Sequence, residues 1–104
     1  MLDKLIHFND LEWEQPKEGA EQKVHSVGNK RLRLVRLHDT LIEEAWCLNG
    51  HIGFVVAGEM SIDFNGTVVK YQQGDGLWIT KGERHKVIIE KGKFVELILF
   101  ELVE

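Results

Sequence analysis

Apolar and polar residues alternate with a period of two along much of the chain, and turn-forming residues interrupt the alternation every several positions. Arg31-Leu32-Arg33-Leu34-Val35-Arg36-Leu37 therefore reads as a half-buried strand with its leucines toward the core. The stretch from His51 to Gly66 is denser in signals. Phe54, Val55 and Val56 favour a strand, Gly58-Glu59 suits a tight reversal, and Ile62 and Phe64 alternate with Ser61 and Asp63. Asn65-Gly66 is a strong hairpin turn, completed by Thr67–Tyr71.

Further pieces follow from the same logic. Residues 1–13 suggest a short strand followed by a turn at Asn9-Asp10, and Glu14–Lys23, with the single proline Pro16, reads as a loop. Gln22–Val27 and Leu41–Trp46 are expected to be extended, Leu77–Ile79 and His85–Glu90 to be short strands around a turn at Gly82. Phe94–Val103 is apolar enough to predict burial on both faces. Roughly eight strands without helical periodicity make an all-β sandwich or barrel. A long apolar C-terminal strand left at a sheet edge would be a hazard, so pairing in a homodimer is expected.

At 104 residues the chain is expected to form one domain, residues 1–104, with no linker and no space for a helix-turn-helix segment. The net charge of −4 argues against nucleic acid or an anionic membrane as partner. Lys30, Arg31, Arg33 and Arg36 form a local basic cluster, read as a solvated sheet face. One cysteine, Cys47, excludes an internal disulfide, and the N-terminus lacks a signal-peptide pattern, so a cytoplasmic location is expected.

The order of turns resembles the cupin superfamily over about residues 30–100. In the second cupin motif a glycine is followed by five residues, a proline, one residue, a glycine, two residues and a metal-binding histidine. The matching positions here are Gly74, Thr80 in place of the proline, Gly82 and His85. In the first motif a ligand glutamate precedes a glycine by six intervening residues, and counting back from Gly58 reaches His51. The family's His-x-His pair falls on Glu44 and Trp46 in one register or Ala45 and Cys47 in the other, so that pair is absent. The resemblance implies a double-stranded β-helix, or jelly-roll barrel, with ligand positions at His51 and His85.

Alternation places Glu44 and Trp46 on one strand face and Ala45 and Cys47 on the other. With Glu44 inward, two histidines and a carboxylate would suit Fe(II), Mn(II), Ni(II) or Zn(II), with Trp46 as an aromatic wall; with Cys47 inward, Zn(II) or copper is favoured. Trp78 and Tyr71 flank the second motif and are either pocket walls or core packing. His7, His25 and His38 fit no motif position. The leading expectation is a small-molecule-binding cupin with a divalent metal at the barrel mouth, which the resemblance extends to a metal-dependent isomerase or dioxygenase. The alternatives are a metal-free ligand-binding or sensor module and a dimeric scaffold with a filled barrel.

Overall fold

The computed structural model describes residues 4–103. Eight strands follow a 3-10 turn at Phe8–Asp10: β1 (Glu14–Lys17), β2 (Ala20–Val27), β3 (Lys30–His38), β4 (His51–Phe64), β5 (Thr67–Gln72), β6 (Gly76–Ile79), β7 (Lys86–Ile88) and β8 (Phe94–Leu102). All pairings between them are antiparallel. One sheet runs β1-β2-β3-β8-β4-β6, and the other runs β5-β4-β7. The long strand β4 belongs to both, which closes the two sheets into a jelly-roll barrel.

That sharing depends on a bend. Residues 52–58 of β4 pair with β8, while residues 59–64 pair with β5, and the register shifts between Val55 and Ala57. Gly58 sits at the change of sheet with φ of 78°, and a Cβ there would lie 2.1 Å from the Phe94 carbonyl oxygen. The glycine expected to reverse the chain instead bends one continuous strand around a barrel corner. Asn65-Gly66 does make the hairpin turn, with positive φ at both residues, and the Asp63 carboxylate accepts a hydrogen bond from the Gly66 N–H at 2.7 Å.

The core is Ala20, Val35, Leu37, Val55, Met60, Ile62, Leu77, Ile79, Val95, Leu97 and Leu99. Its pairing corrects the reading of β3. Val35 lies opposite Leu97 and Leu37 opposite Val95, so the interior face carries odd-numbered residues on both strands. Arg31 and Arg33 consequently line the barrel interior, while Leu32 and Leu34 lie on the outer face. The arginine pair is not a solvated face.

Other expectations change for equally local reasons. Residues 14–17 form an edge strand rather than a loop, where Pro16 costs no ladder hydrogen bond needed on the open side. Residues 41–46 form no strand; only Cys47 pairs, through a bridge to His85. Of the expected N-terminal strand, residues 1–3 lie outside the described residues, and no strand forms from Lys4 to Trp13. β8 alternates strictly between buried and half-exposed residues, so it is buried on one face.

β8 also lies between β3 and β4, so the edge that motivated homodimer formation does not exist. Exposed apolar surface lies instead on the outer face of the larger sheet. Trp78, Ile52, Phe100 and Leu32 form one cross-strand row, and Phe54, Ile98 and Leu34 form the next. Beside them, the N-terminal segment covers β2 and β3: the Lys23 ammonium donates to the Phe8 carbonyl at 2.7 Å, and Lys23 and Arg36 both stack on Trp13. No helix among the described residues is long and apolar enough to cross a membrane.

Gly58→Ala meets both an unfavourable φ and the Phe94 backbone, so it should cost about 2 kcal/mol or more. Gly74→Ala meets only an unfavourable φ of 95°, with no atom near its new Cβ, and should cost about 1 kcal/mol. Urea unfolding midpoints of the two variants check this order.

Candidate functional site at the barrel mouth

At one end of the barrel the interior changes from apolar to charged within a single cross-strand row. Arg31 of β3 lies opposite Glu101 of β8, and His51 of β4 lies opposite Ile79 of β6. Glu101 and His51 extend the Ile52–Phe100 pairing by one residue and are joined by a hydrogen bond of 2.5 Å between His51 Nδ1 and the carboxylate. Glu101 faces inward because it continues the alternation Val95, Leu97, Leu99. Its side chain is only 4% exposed.

A buried carboxylate needs counter-charges and donors. Arg33 forms a two-point fork, Nε to Oε1 at 2.8 Å and Nη2 to Oε2 at 2.6 Å, and its Nη1 donates to the Gln22 side chain at 2.8 Å. Arg31 approaches Oε1 through Nε at 2.8 Å and Nη2 at 2.6 Å. Burial pushes the Glu101 pKa up, but hydrogen bonds from His51 and Arg33 and the guanidinium charges outweigh it and hold the carboxyl at about 2.

The opposite side of the mouth is built by the Cys47–His85 bridge. The Cys47 N–H donates to the His85 carbonyl at 2.8 Å and the His85 N–H to the Cys47 carbonyl at 3.1 Å, so the two residues oppose each other and their side chains share a face. His85 is buried, its Nδ1 2.8 Å from the Glu83 carbonyl oxygen. That bond makes Nδ1 the donor and leaves Nε2 as the ring nitrogen with a lone pair. The His51 and His85 rings meet edge to face with centroids 5.4 Å apart.

Cys47, His51 and His85 thus offer three donor atoms within 4.8 Å of one another. Cys47 Sγ is 4.0 Å from His51 Nε2. Burial opposes protonation of His51, but hydrogen bonds to Cys47 and Glu101 raise its pKa to about 9. The same hydrogen bond lowers the Cys47 pKa against the effect of burial. The three residues line one wall of an interior cavity of about 390 Å³ whose remaining walls are largely apolar, among them Val35, Leu37, Met60, Ile62, Leu97 and Leu99. A groove of about 600 Å³ on the outside, lined by Trp78, Ile52 and Phe100, shares Arg31, Asn49, His51 and Ile79 with that cavity.

Of the residues singled out from sequence, His51, His85 and Cys47 come together, and Glu44 does not: it is exposed and outside the group. With no strand at 41–46 to impose alternation, the bridge at Cys47 decides which side chain faces inward. Trp46 is half-buried beneath Arg84 and Lys86, at 5.1 and 4.7 Å, and Tyr71 packs against the core; neither lines the cavity or the groove. Trp78 is 77% exposed on the outer face. Glu101, Arg31 and Arg33 were not among the candidates. The available signal was parity: Glu101 is two residues beyond Leu99 on a strand whose alternate residues are apolar.

A carboxyl whose pKa falls on folding stabilises the fold above its unfolded value, here 4.5, and loses that effect as pH falls toward about 2. The contribution amounts to about 3 kcal/mol. His51 contributes oppositely: its effect is complete below 6.5 and is lost as pH rises through about 9. Chemical unfolding of the metal-free protein between pH 5 and 2 should show this acid-side loss in wild type and a much flatter profile in Glu101→Gln.

No curated protein matches the chain by sequence. Solved structures match it closely in fold. The polyketide cyclase RemF from Streptomyces resistomycificus superposes with a TM-score of 0.76 at 14% identity, covering 96% of this chain and 79% of that one. An RmlC-like cupin from Shewanella frigidimarina gives 0.73 at 12% identity, covering 95% and 89%. KdgF from a Halomonas species gives 0.72 at 15% identity, covering 92% and 90%. At these identities the likeness establishes the cupin fold alone. A family model described as the AraC-like ligand binding domain matches residues 31–101, a span that begins at Arg31 and ends at Glu101. The chain belongs to the AraC-like ligand binding domain family, a family of cupin fold.

Proposed function

We propose that the chain binds a small molecule in its barrel cavity beside a divalent metal held by Cys47, His51 and His85. The observation that carries this reading is the arrangement of the two imidazoles. Each has Nδ1 engaged by an acceptor, the Glu101 carboxylate or the Glu83 carbonyl, and Nε2 turned into the three-residue group, that of His51 toward Cys47 Sγ. A carboxylate or carbonyl behind a histidine is the usual support for a metal ligand, because it fixes the tautomer and ring orientation.

The donor set suits the role. One thiolate and two imidazoles favour Zn(II) or copper over Mn(II) and leave at least one position open. A metal there would supply Lewis-acid polarisation of a bound polar group. Around it the protein's own residues do the remaining work: Glu101 keeps the His51 proton on Nδ1, Arg33 anchors Glu101, and the apolar cavity walls exclude water. An isomerase or dioxygenase reaction, should the chain carry one out, would occur at this end of the cavity. A free thiolate ligand also accords with a reducing, cytoplasmic compartment.

The second reading is a metal-free binding module. It is favoured by the Cys47–His51 hydrogen bond, which satisfies both groups without an ion. Elemental analysis separates the two, on protein incubated with Zn(II), Fe(II), Mn(II) or Ni(II) and desalted. Near-stoichiometric retention of one metal is expected in wild type, Glu44→Gln and His25→Ala. Cys47→Ala, His51→Ala and His85→Ala should each weaken retention by about tenfold or more. No retention by wild type would leave the metal-free reading.

The homodimer is proposed to form across the outer apolar rows rather than at a strand edge. A second copy presents the same uncharged surface, so a two-fold contact covers Trp78, Ile52 and Phe54 on both chains at once. Light scattering after size exclusion should find wild type at twice the chain mass and Trp78→Glu at the monomer mass.

A further inference from the structure

The arginines around Glu101 exceed what the carboxylate requires. Arg33 alone satisfies both oxygens in a two-point fork, and its third bond, to Gln22, gives each of its three nitrogens a partner in the wall. Arg31 adds a third and fourth nitrogen contact to the same Glu101, both to Oε1. Two guanidinium charges and the His51 imidazole therefore face one carboxylate, which leaves the mouth cationic. The Arg31 Nη1 has no protein partner among the described residues. Its side chain is 33% exposed, against 18% for Arg33.

Position gives this excess a purpose. Arg31 and His51 both line the interior cavity and the outer groove, so they stand where the two spaces meet. The other charged groups lining the cavity have partners: Lys17 pairs with Glu43 at 3.0 Å, and Glu21 with His38 at 2.7 Å. Beyond the charged row the walls are aliphatic, Val35, Leu37, Met60, Ile62, Leu97 and Leu99. A cavity of about 390 Å³ with one cationic end and an aliphatic body has a definite chemical complement.

We propose that the cavity takes a small organic carboxylate with an apolar body, its carboxylate held by the free edge of Arg31 beside His51. This rests on the binding function proposed above and names its ligand class. Guanidinium is suited to the task because its second edge presents two N–H groups in the plane a carboxylate requires. Arg33 positions Glu101 and takes no part in the ligand contact. A neutral ligand of equal size would leave Arg31 with its excess charge unanswered.

The test uses phenylacetate and its neutral isostere phenylacetamide as probes, followed by amide chemical shifts in NMR titrations of zinc-treated and chelator-treated protein. Wild type should bind phenylacetate about tenfold more tightly than phenylacetamide, with shifts centred on the cavity. Arg31→Gln should reduce the preference to about twofold or less, while Arg31→Lys, which keeps the charge but loses the planar two-point edge, should retain only part of it. Equal binding of the two probes by wild type, binding of neither, or a preference that survives in Arg31→Gln would overturn the proposal. The wild-type comparison needs no variant to fold. A preference that depends on Arg31 in protein retaining no metal would uphold the carboxylate site and defeat only the metal reading.

Discussion

The carboxylate of Glu101 is the constraint on which the mouth of this barrel depends. It is buried on the interior face of β8, and a buried carboxylate is tolerable only with hydrogen-bonded counter-charges around it. Arg33, Arg31 and His51 supply them from the strands on either side. The interaction therefore joins β3, β8 and β4 at their polar end, where the aliphatic core has stopped. It also sets the chemistry of His51, since a proton held on Nδ1 by Glu101 leaves Nε2 to face Cys47.

The barrel is amphipathic along its length rather than across its sheets. Moving inward along β3, β8 and β4, the interior residues pass from Arg31, Glu101 and His51 to Val35, Leu97 and Val55. One end can thus hold charge while the middle supplies the stabilising core. β4 makes this possible by crossing from one sheet to the other at Gly58, and the isolated bridge between Cys47 and His85, just before β7, stands beside the charged row. His51 from β4 and the bridged pair Cys47 and His85 then converge, though His51 is far from both in the hydrogen-bonded ladder.

Two apolar surfaces remain, and they differ in kind. The interior walls enclose a cavity that opens at the charged row, whereas the outer rows of Trp78, Ile52, Phe54, Ile98 and Phe100 lie flat on the sheet. Among the described residues, the N-terminal segment covers the β2 and β3 part of that outer face, through Trp13 and Lys23. The uncovered remainder is continuous with the groove that reaches Arg31 and His51, so contact on the outer face and access to the cavity meet at the same rim.

Period-two alternation, the Asn65-Gly66 turn and the glycine and histidine spacing from Gly74 to His85 were sufficient to identify an all-β cupin barrel and to single out His51 and His85. These signals are local: each depends on residues a few positions apart, whose φ, ψ and side-chain direction follow from their own chemistry. Strand parity in β3 was not legible, because Leu32 and Leu34 are even while Val35 and Leu37 are odd, so apolar residues stand on both faces. Only the pairing with β8 made the odd face interior and turned Arg31 and Arg33 toward Glu101. The choice between Glu44 and Cys47 was likewise open until the bridge to His85, thirty-eight residues away, replaced the strand expected at 41–46. Local chemistry determined the fold and the positions of His51 and His85, and long-range register decided the rest, because a side chain's face is a property of the strand it pairs with.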